Sequence, residues 1–159
     1  MIKRHSTQIV SKEIQNKLDL FYSDLQEVGV SYVGHGVVCD QGNHTGYFSN
    51  KKWGDFYIQN KFFFSEPILK TYEENNNELI PWENINEEQP IASQRREQTK
   101  INSGVTIYVR DHEYNTFFNM GFHEGINPFE FVFFKKDVLL SYFDIFNNYH
   151  LGWRKGARG

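Results

Sequence analysis

The chain has 159 residues, only one cysteine, and no long apolar run. Because Cys39 alone cannot form an internal disulfide, nothing in the sequence indicates an oxidising compartment. No run of about 18 apolar residues occurs, so we expect no transmembrane helix. No apolar segment follows the two early cations, so we expect no secretory signal either. The sequence therefore predicts a single cytoplasmic domain without membrane association.

Several kinds of chemical motif are also missing. The formal net charge of −3 lacks the basic excess of a general nucleic-acid-binding surface, so no direct nucleic-acid binding is predicted. No glycine-rich phosphate loop is found, and none of the 6 histidines has a second ligand type at metal-site spacing. We therefore predict no cofactor, no metal and no catalytic residue, and expect the protein not to be an enzyme.

Aromatic residues supply most of the apolar volume, with 15 Phe, 9 Tyr and 3 Trp making up 17% of the chain. Alanine and leucine are scarce. A core built from rings can be dense, or it can enclose a pocket with aromatic walls, and composition alone does not choose between the two.

Hydrophobic periodicity predicts alternating helices and antiparallel hairpins. Residues 12–28 have a helical apolar stripe that Ser11 can cap and Gly29 can end. The remaining predictions are strands at 30–39, 44–49, 104–110, 114–122 and 129–134, helices at 50–60, from Ser65 and at 136–149, and a polar loop at 73–89.

Short connections between paired strands favour antiparallel pairing. The predicted fold is therefore α+β: an α/β/α sandwich with a central five-stranded antiparallel sheet, similar to a PAS domain. We expect residues 1–150 to form this domain and residues 151–159 to form a tail.

One set of residues is informative through its spacing along the chain. Trp53 is followed four residues later by Tyr57 and then by Glu66-Pro67. Pro81-Trp82 and the strand start Ser103-Gly104-Val105-Thr106 come next. This set resembles the autoinducer-binding domain of LuxR-type quorum-sensing regulators, over about residues 15–122. In that family a W-x-x-x-Y helix is followed by Asp-Pro, a second Trp and a strand beginning near Ser-Gly-[IV]-Thr.

The resemblance implies a ligand site between the sheet and one helical layer. It implies that Trp53 donates to a lactone carbonyl, that Tyr57 lines the acyl region and that Glu66 accepts from the ligand amide. Trp82 would wall the lactone end, and Gly104 would allow close backbone approach. Asn119 falls near the start of the acyl chain. The implied partner is a small amphiphilic signal, such as an acyl-homoserine lactone.

The sequence departs from the family pattern in three places. Glu66 is one methylene longer than the family's Asp, and Ser49 stands where the family often has a Tyr that binds the amide carbonyl. The family also continues into a DNA-binding head, which is not found in these residues. We therefore expect an input domain that forms a homodimer, or a heterodimer with a full-length regulator.

Two other functions stay open at this point. A ligand-free PAS-like protein-interaction module would have the same elements and a closed aromatic core. A small enzyme would need a histidine within hydrogen-bond reach of Glu66.

Overall fold

A six-stranded sheet with helices packed on it makes up the part of the chain that the computed structural model describes, residues 5–65, 79–82, 90–110 and 113–158. The helix predicted from Ser65 and most of the loop predicted at 73–89 lie outside these ranges. Along the chain the elements are β1 (Ser6–Ile9), α1 (Lys12–Glu27), β2 (Val30–Cys39), β3 (Asn43–Phe48), α2 (Lys51–Gln59), a 3-10 helix (Phe62–Ser65), β4 (Leu79–Pro81), α3 (Pro90–Thr99), β5 (Ser103–Arg110), β6 (Tyr114–Phe122) and α4 (Pro128–Arg158).

The sheet is mixed, with strand order β1-β3-β2-β6-β5-β4. The two predicted hairpins form, and β2 joins them by pairing antiparallel with β6. Strand β1 pairs with β3 in parallel, which corrects the prediction of a purely antiparallel, five-stranded sheet. The sequence of β1, Ser-Thr-Gln-Ile, is short and mostly polar, so it carries no alternating apolar signal. Strand β4 is a three-residue edge strand ending at Pro81, where a missing N–H does no harm.

Helix α1 begins and ends as predicted. The Ser11 hydroxyl accepts from the main-chain N–H of Ile14 at 3.4 Å, and Gly29 follows with φ of 112°. The apolar stripe buries Leu18 and Leu25 completely. Local capping and periodicity therefore agree with the packing of this helix.

Helix α4 corrects two predictions. Residues 129–134 are its first turns and not a strand, and the expected tail from Leu151 continues the helix to Arg158. The reason lies at the start: Asn127 Oδ1 accepts from the N–H groups of Phe129 at 2.9 Å and Glu130 at 3.2 Å. Pro128 suits the first turn because it has no N–H to satisfy. This cap outweighs the strand propensity of the Phe-rich run that follows it.

The sheet separates two apolar cores, so the predicted α/β/α sandwich is confirmed. One core lies between the sheet and helices α1 and α4. The other lies between the sheet and the layer of α2, the 3-10 helix and α3, and its buried members include Tyr32, Phe48, Trp53, Tyr57, Phe63, Ile91, Ile101, Tyr108 and Phe117. Among the described residues no helix is both long and apolar enough to cross a bilayer.

Candidate functional site

A cavity lies on the sheet face that carries α2, and its floor is made of glycines. Gly34 and Gly36 alternate on β2, and Gly36 is the register partner of Gly46 on β3. Because residues two apart on a strand face the same side, these glycines leave a patch of the sheet without side chains. The lining consists of Tyr32, Gly34, His35, Gly36, His44, Gly46, Tyr47, Phe48, Tyr57, Phe63, Arg95, Phe117 and Asn119.

The cavity is narrow. It contains about 430 Å³ of atom-free space, including its open mouth, but only about 40 Å³ admits the centre of a water-sized sphere. Pockets for small organic ligands hold roughly 300–1,000 Å³. A slender occupant therefore fits better than a bulky one, and a large head group would require the aromatic walls to move.

Polar groups lie directly over the glycine floor. A Cβ atom at Gly34 would lie 2.9 Å from the hydroxyl of Tyr32 and 3.5 Å from Nδ2 of Asn119. A Cβ atom at Gly36 would lie 2.9 Å from Nε2 of His44. These groups could bond to a polar part of an occupant that rests on the floor.

The His44 ring is fixed in place and neutral. Its Nδ1 lies 2.7 Å from the Thr7 hydroxyl, and its ring stacks on Phe63 with centroids 4.4 Å apart. Burial, and secondarily the positive charge of Arg154, lowers the pKa of His44 to about 3. A neutral imidazole has one donor and one acceptor nitrogen, so this ring can bond to an uncharged polar ligand.

Trp53 carries a buried donor that is not satisfied. Its side chain is fully buried, and its indole Nε1–H has no hydrogen-bond partner among the residues that the structure describes. The indole packs edge-on against Tyr57, with ring centroids 5.8 Å apart, and lies behind that part of the cavity wall. The Arg95 guanidinium lies 5.4 Å from the indole centroid. Since buried N–H groups are almost always paired in native proteins, this one is a candidate contact for a bound acceptor.

Trp82 differs from Trp53 because its indole N–H is already paired. Trp82 Nε1 donates to the Thr106 hydroxyl at 2.9 Å, and that hydroxyl donates to Asn119 Oδ1 at 2.8 Å. The indole lies over Gly104, where a Cβ atom would be 2.8 Å from the ring and would overlap the main-chain oxygen of Met120. Only glycine fits this position, and the chain of bonds fixes the Asn119 amide at the cavity.

The structure brings together five of the seven residues chosen from the sequence. Trp53, Tyr57, Trp82, Gly104 and Asn119 share the α2 face of the sheet, and Tyr57 and Asn119 line the cavity itself.

The other two are Ser49 and Glu66. The Ser49 hydroxyl accepts from the main-chain N–H of Val33 at 2.8 Å, and Ser49 does not belong to the described cavity lining. Glu66 lies outside the described residues.

Sequence reasoning missed most of the floor and rim. Tyr32, His44, Phe63 and Arg95 were not chosen, nor were the glycines beneath them. The spacing of Gly34 and Gly36 was a usable signal, because two glycines two apart on a strand clear one face. That Gly46 lies opposite Gly36 depends on the strand register, which the sequence does not show. Within the described ranges, no group of three or more His, Cys, Asp or Glu residues could hold a metal ion.

No protein-family model and no curated protein sequence matches the chain. Solved structures do match it. One is CepR2 from Burkholderia cenocepacia, an N-acylhomoserine lactone-dependent LuxR-family transcription factor, with a TM-score of 0.64 at 10% identity over 85% of this chain and 82% of CepR2. This chain shares the fold of a LuxR-family protein.

Two structures of SdiA agree with this assignment. Escherichia coli SdiA matches with a TM-score of 0.57 at 17% identity, over 74% of this chain and 51% of SdiA. SdiA in complex with octanoyl-rac-glycerol matches with a TM-score of 0.61 at 17% identity, over 87% and 59%. The chain thus spans between half and three fifths of the SdiA chains. At these identities the likeness to LuxR-family proteins is one of fold, and it confirms the resemblance seen in the sequence.

Proposed function

We propose that this chain is a cytoplasmic sensory domain that binds a small amphiphilic signal between the sheet and the layer of α2 and α3. The observation that carries the proposal is the unsatisfied indole N–H of Trp53, buried behind a cavity with aromatic walls. An acceptor on a ligand, such as a lactone or ester carbonyl, would satisfy it. The role is one of binding and not of catalysis.

The cavity favours a slender, largely uncharged ligand. Its glycine floor accepts an unbranched acyl chain, and Tyr32, His44 and Asn119 offer bonds to neutral polar groups. CepR2 depends on an N-acylhomoserine lactone, and SdiA has been solved with octanoyl-rac-glycerol. Both of these ligands are amphiphiles of this kind. We therefore propose an acyl-homoserine lactone or a related acylated signal, with Glu66 accepting from an amide N–H where the signal has one.

Ligand binding is proposed to act through stability. A ligand that binds only the folded state shifts the folding equilibrium toward that state. The stabilised domain would then form a homodimer, or a heterodimer with a full-length regulator, and so control transcription. Co-purification of the tagged chain with a full-length LuxR-type regulator in the presence of the signal tests this output.

The direct test is a thermal-melt screen of purified protein against acyl-homoserine lactones and acylglycerols of different chain length. Native mass spectrometry of the same sample detects a retained ligand. We expect one class to raise the melting temperature by several degrees. A flat response from a folded, empty protein would reject the proposal.

Two variants locate the contact. Trp53→Phe should lose about 1–2 kcal/mol of binding free energy, a five- to thirtyfold weaker affinity, because it removes a buried indole N–H that has no partner among the described residues. Trp153→Phe is the matched control, because Trp153 lies in helix α4 and does not belong to the described cavity lining. If both variants bind like the parent, the polar contact is wrongly assigned, and Glu66→Gln then tests the second one.

The ligand-free interaction module is the second candidate. The narrowness of the cavity favours it, because only about 40 Å³ admits a water centre before any wall moves. An empty protein that gains no stability from any signal, but captures a protein partner, would support it. The enzyme hypothesis depends on Glu66, which lies outside the described residues.

A further inference from the structure

A second, polar cleft opens at the β1 edge of the sheet, at the end of α4. About 350 Å³ of it admits the centre of a water-sized sphere, and it lies between the edge strand β1, its neighbour β3 and the last turns of the helix. Its lining is almost entirely polar: Ser6, Gln8, Gln41, Asn43, His44, Trp153 and Arg154. A dry apolar pocket would not be built from these side chains, so the cleft suits water or a polar ligand.

Arg154 is the charged group of this cleft. Its side chain is only 8% exposed. Its Nη2 donates to the main-chain oxygen of Asn43 at 2.9 Å and lies 3.6 Å from the sulfur of Cys39. Among the described residues no carboxylate forms an ion pair with it. Both of these contacts are made by Nη2, so the N–H groups on Nε and Nη1 have no hydrogen-bond partner among the described residues either.

The charges around the cleft are one-sided. Among the described residues, the titratable neighbours that shift the pKa of His44 and of His150 are Arg154 and other histidines, and each of them lowers it. For Cys39, the charge that lowers the pKa of the thiol is, among the described residues, again that of Arg154. A carboxylate close to this cluster would have the opposite effect on the histidines. A buried cation without a counterion normally costs several kcal/mol, which a bound anion would offset.

We propose that the cleft between α4 and the β1–β3 edge binds a small oxyanion, a carboxylate or a phosphate, through Arg154. The free N–H groups of the guanidinium would donate to the anion oxygens, forming the charge-assisted bonds that arginine makes with both classes. The amides of Gln8 and Gln41 and the indole of Trp153 line the remaining walls. The bound anion would connect the end of α4 to the sheet edge. Within the described ranges, His44 is the one residue that lines both this cleft and the cavity of the proposed signal, and the anion contacts proposed here do not include it.

The test uses the whole chain and two probes, inorganic phosphate and acetate, titrated at constant ionic strength with sodium chloride as the reference. The readout is the two-dimensional ¹H–¹⁵N spectrum of the three tryptophan indoles, assigned with single Trp→Phe variants. We expect the Trp153 signal to shift and saturate with one or both probes. The signals of Trp53 and Trp82 should stay in place. The probe that binds more tightly identifies the class of anion.

Three variants make the assignment specific. Arg154→Gln should abolish the saturable shift, and Arg154→Lys should weaken binding about tenfold, because a lysine ammonium lacks the planar fork with which the guanidinium can hold Asn43 on one nitrogen and an anion on the others. Lys155→Gln is the matched control, since Lys155 lies over the Tyr114 ring, 5.8 Å from its centroid, and not in the cleft. If Arg154→Gln does not fold, the lysine variant and the parent spectrum still decide.

Two outcomes would overturn the proposal. In the first, chloride shifts the Trp153 signal as much as the oxyanions do, which would be an ionic-strength effect. In the second, neither probe shifts it at all, and Arg154 then only ties α4 to Asn43. If the other cavity bound no amphiphilic ligand, the result of this titration would be unchanged, so the two proposals can fail separately.

Discussion

The Nδ1 atoms of His35 and His150 lie 2.8 Å apart, so one ring must donate a proton to the other. The direction follows from the ends of the network. His35 Nε2 lies 2.7 Å from Asn147 Oδ1, which can only accept, so the His35 proton is on Nε2. His150 therefore donates from Nδ1, and its Nε2 accepts from the Thr45 hydroxyl at 2.8 Å. The network joins β2 and β3 to α4 with both rings neutral.

Acid should destabilise the fold well above the pH at which carboxylates titrate. Burial lowers the pKa of His35 to about 4 and that of His44 to about 3, and it lowers the pKa of His150 well below the usual 6.5. Between pH 6.5 and about 4 the unfolded chain therefore binds more protons than the folded one, and stability falls as the pH falls. Well below pH 6.5, and above its pKa in the folded state, each histidine lowers the free energy of unfolding by about 1.4 kcal/mol for each pH unit of acidification. Urea unfolding at pH 7.5 to 5 measures the slope.

Single substitutions show which histidines cause this pH dependence of the free energy of unfolding. His150→Gln should reduce it by about a third, because one of the three neutral rings is gone. His123→Gln, at an exposed position after β6, is the control and should leave it unchanged. A parent protein whose free energy of unfolding is constant from pH 7.5 to 5 would contradict the buried neutral network.

The glycine floor should be intolerant of a methyl group when a ligand binds. In Gly36→Ala the new Cβ would lie 2.9 Å from His44 Nε2, so the ring must shift into the cavity. We expect a loss of about 1–3 kcal/mol in the free energy of unfolding and at least tenfold weaker signal binding. Gly152→Ala is the control, because nothing lies within 4 Å of its Cβ in helix α4. It should add about 0.5–1 kcal/mol of stability and leave binding unchanged. If both variants bound the ligand equally well, the glycine floor would not be part of the binding site.

Gly104 should be a position where even alanine is not accepted. A Cβ there would overlap the main-chain oxygen of Met120, which cannot move without breaking the β5–β6 pairing. We expect Gly104→Ala to lower the free energy of unfolding by about 3 kcal/mol or more. Chemical denaturation gives the value. A loss below about 1 kcal/mol would mean that Trp82 and β6 do not approach as closely as described.

The start of α4 should depend on Asn127. Its side chain accepts from the N–H groups of both Phe129 and Glu130. Asn127→Ala should therefore cost about 1 kcal/mol, with faster amide hydrogen exchange in the first turn. Asn127→Asp should retain the cap and serve as the control. If exchange in that turn is the same in the alanine variant, the cap does not determine where the helix begins.

Local signals explain which parts of the fold could be predicted. Helix α1 has a cap, a stripe and a glycine stop in the sequence itself, and β5 and β6 alternate cleanly. The strand prediction for residues 129–134 is wrong because strand propensity alone does not account for Asn127-Pro128, which begins a helix. The phenylalanines in that run are not all core residues: Phe133 is 80% exposed and Phe134 75%.

The candidate site was only partly predictable for a different reason. Trp53, Tyr57 and Trp82 stood out as large residues at a recognisable spacing. The floor is defined by missing side chains on two strands, and only the β2–β3 register superimposes Gly36 on Gly46. His44 became part of the site through its stacking on Phe63, from a distant part of the chain. Such long-range placement leaves no periodic trace in a sequence.

The glycine floor has a consequence for how occupancy of the cavity could be observed. His35 lies between Gly34 and Gly36 and lines the cavity, although its ring bonds to Asn147 and His150 on the far side of the sheet. Strand alternation means that the residue reaches the cavity through its peptide groups. At this point only one thickness of backbone divides the signal cavity from the histidine pair. The ring nitrogens of His35 and His150 are thus a built-in magnetic resonance reporter, which would register an occupant that touches neither ring.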